Sequence, residues 1–198
     1  MSGLALAPSS SITSCCPPPD WLPSDQAGPD VWDVYTNDEY QFQISYPSGF
    51  DVAEVADTLV VDGAVVTFAP KYDPSISAAG AKTNLISISI TVGVSDSPSA
   101  PESRCERRTV SALRSRDLEK TRFTRGYRSE GAVGNRYETS TVATDCDGKH
   151  YEIALFVHSA NPGCYPAGAI TIFDSAKVER LFETMLSTFS LHASSERS

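Results

Sequence analysis

Between residues 38 and 50 apolar and polar side chains alternate: Tyr40, Phe42, Ile44 and Tyr46 against Gln41, Gln43 and Ser45. A period of two marks a strand with one buried face. Pro47-Ser48-Gly49 closes it, because Pro brings no N–H to a ladder and Gly admits a turn. Residues 58–69 hold two β-rich runs around Asp62-Gly63, which predicts a tight hairpin. A polar loop with Pro74 and Gly80 follows. Residues 84–94 alternate again, and the spacing predicts a long strand buried on its Ile86, Ile88, Ile90 and Val92 side.

Ser103 and Glu106 form a capping box, so a helix is expected to run to about Leu118, with Val110, Ala112 and Leu113 as a modest apolar stripe. A strand over 122–129 is predicted next, then a turn at Glu130-Gly131 and Gly134. Residues 135–144 and 149–159 read as paired strands joined at Asp145-Cys146-Asp147-Gly148. The second carries Tyr151, Ile153, Leu155 and Val157 on one face and Ala154 and Phe156 on the other, the pattern of a central strand covered twice. Asn161-Pro162-Gly163 breaks it, and 169–173 suit a short strand. The last helix is capped by Asp174 or Ser175. Its stripe is Val178, Leu181, Phe182, Met185, Leu186 and Phe189, at helical spacing. The expected class is α+β, an antiparallel sheet sandwiched by helices.

The chain of 198 residues suits one domain plus a leader: residues 1–33 as signal remnant and Pro-rich acidic linker, 34–192 as the domain, and 193–198 as a disordered tail. A net charge of −9 argues against nucleic acid as a partner. Charge is uneven. Residues 1–70 contain no Lys or Arg, whereas 102–130 carry nine bases against five acids. With the residues just beyond, this basic run supplies a candidate interaction face: Arg122, Arg125, Tyr127, Arg128, Arg136 and Tyr137, since Arg and Tyr are frequent interface anchors.

Ile12-Thr13-Ser14-Cys15 has the lipobox form of bacterial lipoproteins, an aliphatic residue and two small ones before Cys, which makes Cys15 a candidate lipidation site. Residues 4–7 are shorter than the apolar region of an export signal, so either the start lies further upstream or the match is chance. Cys105, Cys146 and Cys164 have no zinc-ligand spacing. A disulfide among them would suit an oxidising compartment, and buried thiols are the alternative.

Catalytic and cofactor signals are sparse. His150 and His158 are eight residues apart on one strand, hence about 26 Å apart and unable to share a metal. Cys146 near His150 suggests a Cys/His pair, but no orienting acid is evident beyond Asp145 or Asp147. Asp145-x-Asp147-Gly148 resembles the start of a calcium loop without its closing Glu. No nucleophile elbow or phosphate-binding Gly-rich loop occurs. Neither a catalytic residue nor a cofactor is expected.

Four pieces in order resemble the PsbP-like family, whose founder is an extrinsic lumenal subunit of photosystem II. They are Tyr35-x-Asn37, Phe42-x-Ile44-x-Tyr46-Pro47-x-Gly49-Phe50, Gly134-x-x-Tyr137, and Phe182-x-x-Met185-Leu186-x-Thr188-Phe189-x-Leu191. The resemblance spans residues 34–191 and implies an α/β/α sandwich, a fold shared with a Ran-binding nuclear import factor. It further implies a non-enzymatic domain that binds a protein partner, often secreted or lipid-anchored in bacteria. No photosystem-docking residues match, so photosynthesis is not implied. The expectation is an extracytoplasmic interaction or assembly factor, joined to the membrane if Cys15 is acylated. The alternatives are a small-ligand or metal-binding module of the cell envelope and a soluble cytoplasmic location; a hydrolase is the third class.

Overall fold

The computed structural model describes residues 31–54, 61–71, 82–97 and 123–191. Two antiparallel sheets and one α-helix are present among them. The smaller sheet has the order β1-β2-β9, with β1 at Trp32–Asn37, β2 at Phe42–Pro47 and β9 at Ser190–Leu191. The larger sheet has the order β3-β4-β5-β8-β7-β6. Its strands are β3 (Phe50–Glu54), β4 (Ala64–Pro70), β5 (Leu85–Asp96), β6 (Thr124–Ala132), β7 (Asn135–Cys146) and β8 (Lys149–Ala160).

Register shows which side chains share a face. Ile88, Ile90, Val92 and Val94 of β5 lie opposite Val157, Leu155, Ile153 and Tyr151 of β8, and all eight are buried. Val66 and Phe68 of β4 and Val142 of β7 extend this inner face. The cover is α1 (Ser175–Thr188), whose buried residues are Val178, Leu181, Phe182, Met185 and Leu186. Asp174 caps it by accepting from the Lys177 N–H, as its short side chain permits. The chain then turns extended at Phe189, and β9 pairs Leu191 with Phe42.

The small sheet packs on the same inner face. Phe42 meets Phe189 at 5.8 Å between ring centroids, Tyr46 meets Phe68 at 5.0 Å, and the Tyr151 hydroxyl donates to the Tyr40 carbonyl at 2.9 Å. The Ser45 N–H donates to Thr188 Oγ1 at 2.9 Å, which ties β2 to the end of α1.

Several expectations change. The sandwich by helices becomes, among the described residues, a sheet covered on its inner face by one helix and a second sheet. The helix expected over 103–118 lies outside the described residues, as do Cys15, Cys105 and Arg122. Of the hairpin expected around Asp62-Gly63, residues 58–60 lie outside the described residues. Both edges of β4 are already taken by β3 and β5, with Glu54 opposite Val66 and Phe68 opposite Ile90. The turn instead folds over β5, where the Val94 N–H donates to the Gly63 carbonyl at 2.9 Å. The strand expected at 169–173 reduces to one parallel bridge, Thr83 with Thr171. A bulge between Leu85 and Ser87 breaks the alternation in β5, so Leu85 is buried while Ile86 is exposed.

Gly93 makes the turn over β5 possible. A Cβ there would lie 2.2 Å from Val61 Cγ1 and 2.7 Å from the Asp62 carbonyl. Gly93→Ala is expected to cost about 1–3 kcal/mol by overpacking, read as a lower urea midpoint with an unchanged slope; an unchanged midpoint would refute this contact.

Candidate interaction surface

Turn geometry decides which side of the sheet each candidate side chain occupies. Val133-Gly134 joins β6 to β7 with both residues at positive φ, 45° and 79°, and sets Ala132 opposite Asn135. Asp147-Gly148 does the same between β7 and β8, at 46° and 75°. Both are two-residue turns whose twist suits adjoining antiparallel strands. From these registers Arg125, Tyr127 and Arg136 fall on the inner-face parity, with Val142 and Ser140, whereas Arg128 and Tyr137 fall on the outer face. The single face expected from sequence is therefore split between two sides.

The inner-side members are engaged with neighbours. Arg125 donates two hydrogen bonds to the Glu183 carboxylate on α1, at 2.6 and 2.8 Å, which raises the guanidinium pKa. Tyr127 donates to Glu138, which also accepts from Arg136 at 2.9 Å. These contacts brace the edge strand β6 to β7 and α1.

The outer face carries a different arrangement. Gly126, Thr141, Ala154, Thr91 and Thr67 are successive cross-strand partners, so a row of small side chains crosses five strands. Beside it stands the row Arg128, Thr139, Phe156, Ser89, and beyond that Glu130, Tyr137, His158, Ser87. Ala154 and Thr91 are buried, and a groove of about 650 Å³ lies at the β6–β7 side of this face, lined by Gly126, Thr139, Thr141, Glu152, Phe156 and Tyr137, among others. Tyr137 stacks on His158 at 4.5 Å and lies 6.3 Å from Phe156. Arg128 pairs with Glu130 at the rim. Phe156 and Tyr137 can take an apolar or planar group, and the Thr hydroxyls can hydrogen-bond it. Glu152, Phe156 and Gly126 were absent from the sequence candidates; their signal was cross-strand register, which one strand's periodicity does not contain.

The groups considered for catalysis are held apart. His150 and His158 share the outer-face parity, at opposite ends of β8. His150 Nδ1 is 2.9 Å from Asp145 Oδ1, and His158 Nε2 is 3.0 Å from Asn135 Oδ1. Asp145 is lowered in pKa chiefly by His150, with a further hydrogen bond from Ser97. Cys146 is disulfide-bonded and has the inner-face parity, so it forms no nucleophilic pair with His150. Its partner lies outside the described residues, and Cys164 is an exposed free thiol. Among the described residues no cluster of three His, Cys, Asp or Glu side chains could hold a metal ion. None of the described helices is long and apolar enough to cross a membrane.

Fold and surface together define a class: an antiparallel α+β domain with one face sealed over its core and the other bearing an aromatic-sided groove. No family model matches the chain, and no curated protein matches it. Among solved structures it is similar to the PsbP of the cyanobacterium Synechocystis sp. PCC 6803, with 15% identity over 81% of this chain and 92% of that one, and a TM-score of 0.39. It is also similar to a protein of Bacteroides thetaiotaomicron VPI-5482, with 11% identity over 83% of this chain and 50% of that one, and a TM-score of 0.43.

Glu152 lies beside the groove, and burial raises its pKa, with opposing help from His150 and a small further push from Asp62. A carboxyl raised in the folded state weakens folding once it ionises, above its unfolded pKa. Glu152→Gln is therefore expected to raise Tm at pH 7, with the gain shrinking as pH falls through the carboxylate range. A gain independent of pH, or a loss at pH 7, would contradict the assignment.

Proposed function

We propose that this chain is a non-catalytic, extracytoplasmic PsbP-like domain that works by contact with a protein partner, as an interaction or assembly factor tethered to the membrane through a diacylated Cys15. The observation that carries the compartment is the disulfide at Cys146, because such bonds persist where the surroundings are oxidising. The lipobox form of residues 12–15 and the Pro-rich, acidic stretch after it supply the anchor and spacer. What supports contact is the groove, which offers aromatic and hydroxyl groups, together with the separate engagement of His150, His158 and Cys146.

In this reading Cys105 is the partner of Cys146. Its support is that β5 ends and β6 begins at the end of the sheet that holds Cys146, where Asp96 pairs with Lys149 and Thr124 with Ala143. A second reading, a small-ligand module of the cell envelope, draws on the volume of the groove alone.

Palmitate labelling of the protein expressed in a bacterium with its own export signal tests the anchor. Label and membrane-fraction recovery are expected for the wild type, and both are expected to vanish in Cys15→Ser. A Cys15→Ser protein that keeps its label, or a wild type that never acquires one, would overturn it.

A further inference from the structure

At the end of the large sheet where β8 finishes, from Ser159 through Phe173, the chain carries no charged side chain, in a protein whose net charge is −9. Beyond Ala160 that segment is a loop held on a firm base. Asn84 is buried and uses its whole side chain there: Nδ2 donates to the Ala160 carbonyl at 3.0 Å, and Oδ1 accepts from the Phe173 N–H at 2.9 Å. The Asn84 N–H donates to the Thr171 carbonyl at 3.0 Å, and the Thr171 N–H donates to the Lys82 carbonyl at 2.8 Å. The β6–β7 turn stands against the loop, where the Asn161 N–H donates to the Gly134 carbonyl at 2.8 Å.

This fixed loop and the turn beside it display apolar side chains outward, with Glu130 and Arg136 set back along β6 and β7. Val133 is 100% exposed, Ile172 67% and Tyr165 45%. Val133 also breaks a local rule. It occupies a position with φ of 45°, where a β-branched residue is disfavoured and Asn or Gly is the natural choice. Full exposure means that no contact within the described fold compensates. A strained, apolar, protruding side chain points to a contact outside the molecule.

We propose that this tip, Val133 with Tyr165 and Ile172, inserts into the interfacial layer of a lipid bilayer. Three features favour lipid over a protein partner. The exposed apolar area is on the order of a few hundred Å², short of the roughly 800 Å² per partner that a stable protein interface buries. The apolar groups protrude at loop tips, and a bilayer accepts protrusions without a matching pocket. The loop between His158 and Asp174 carries no charge to desolvate, and its Tyr165 is of the type that settles at membrane–water boundaries. This contact needs no acyl chain, so it stands apart from the tether at Cys15.

The test is vesicle co-sedimentation of the full chain carrying Cys15→Ser, which removes any lipid anchor. Binding is expected to neutral phosphatidylcholine vesicles and to change little between low and high salt. Val133→Asp and Ile172→Asp should each weaken partitioning at least about tenfold. Val133→Asn relieves the turn, so it should weaken vesicle binding while leaving Tm equal or higher, which separates lost contact from lost folding. Absence of vesicle binding by the Cys15→Ser chain, or binding that survives all three substitutions, would overturn the proposal. So would a concentration-dependent dimer abolished by Val133→Asp, because the tip would then be an interface between copies.

Discussion

One aromatic junction joins the two sheets. Phe189, at the point where α1 becomes β9, touches Phe42 of the small sheet and Tyr151 of the large one, at 5.8 and 6.5 Å between centroids. Phe42 and Phe189 are buried to 1% exposure or less. Side chains of this size contribute about 1.5–3 kcal/mol each on burial, and edge contacts between rings add to that. The junction works because α1 delivers its whole apolar stripe to the same place: Leu181, Phe182, Met185 and Leu186 all face the sheet. A short strand such as β9 has no independent stability; the helix end holds it in place beside β2.

Charged side chains on the inner-face parity lie at the rim, where Arg125 clasps Glu183 and Glu138 gathers Tyr127 and Arg136. Such exposed pairs stabilise little, but they fix the edge strand in one orientation. The outer face keeps a groove built from small residues between aromatic and charged rows. The far tip, pinned by Asn84, keeps apolar side chains in the open.

Much of this was legible where one side chain's environment depends on its own strand or helix. The alternation in β5 and β8 and the stripe of α1 name the core directly, and Asp174 is a cap by its chemistry and place. The turn at Asp147-Gly148 follows from the preference of Asp-Gly for positive φ. What escaped depended on neighbours far along the chain. β3, FDVAE, has no pattern of its own and is a strand because it follows the Gly49 turn and pairs with β4. The bulge at Ile86 is invisible to a period of two. The Arg and Tyr residues of β6 and β7 divide between faces by the pleat alone, a split their own spacing already carried: Arg125 and Tyr127 alternate with Arg128, and Arg136 and Tyr137 are successive. Val133 itself looks like an ordinary strand residue until its φ and exposure are known.

The central claim is that two sheets and one helix share a single core and open together. Native-state hydrogen exchange tests this directly, by comparing the amides of β2 with those of β8 as denaturant is added. The account predicts that both sets merge into the same global opening, with equal free energy and equal denaturant dependence. A separate, lower-energy opening of β2, with β8 still protected at the global value, would contradict it.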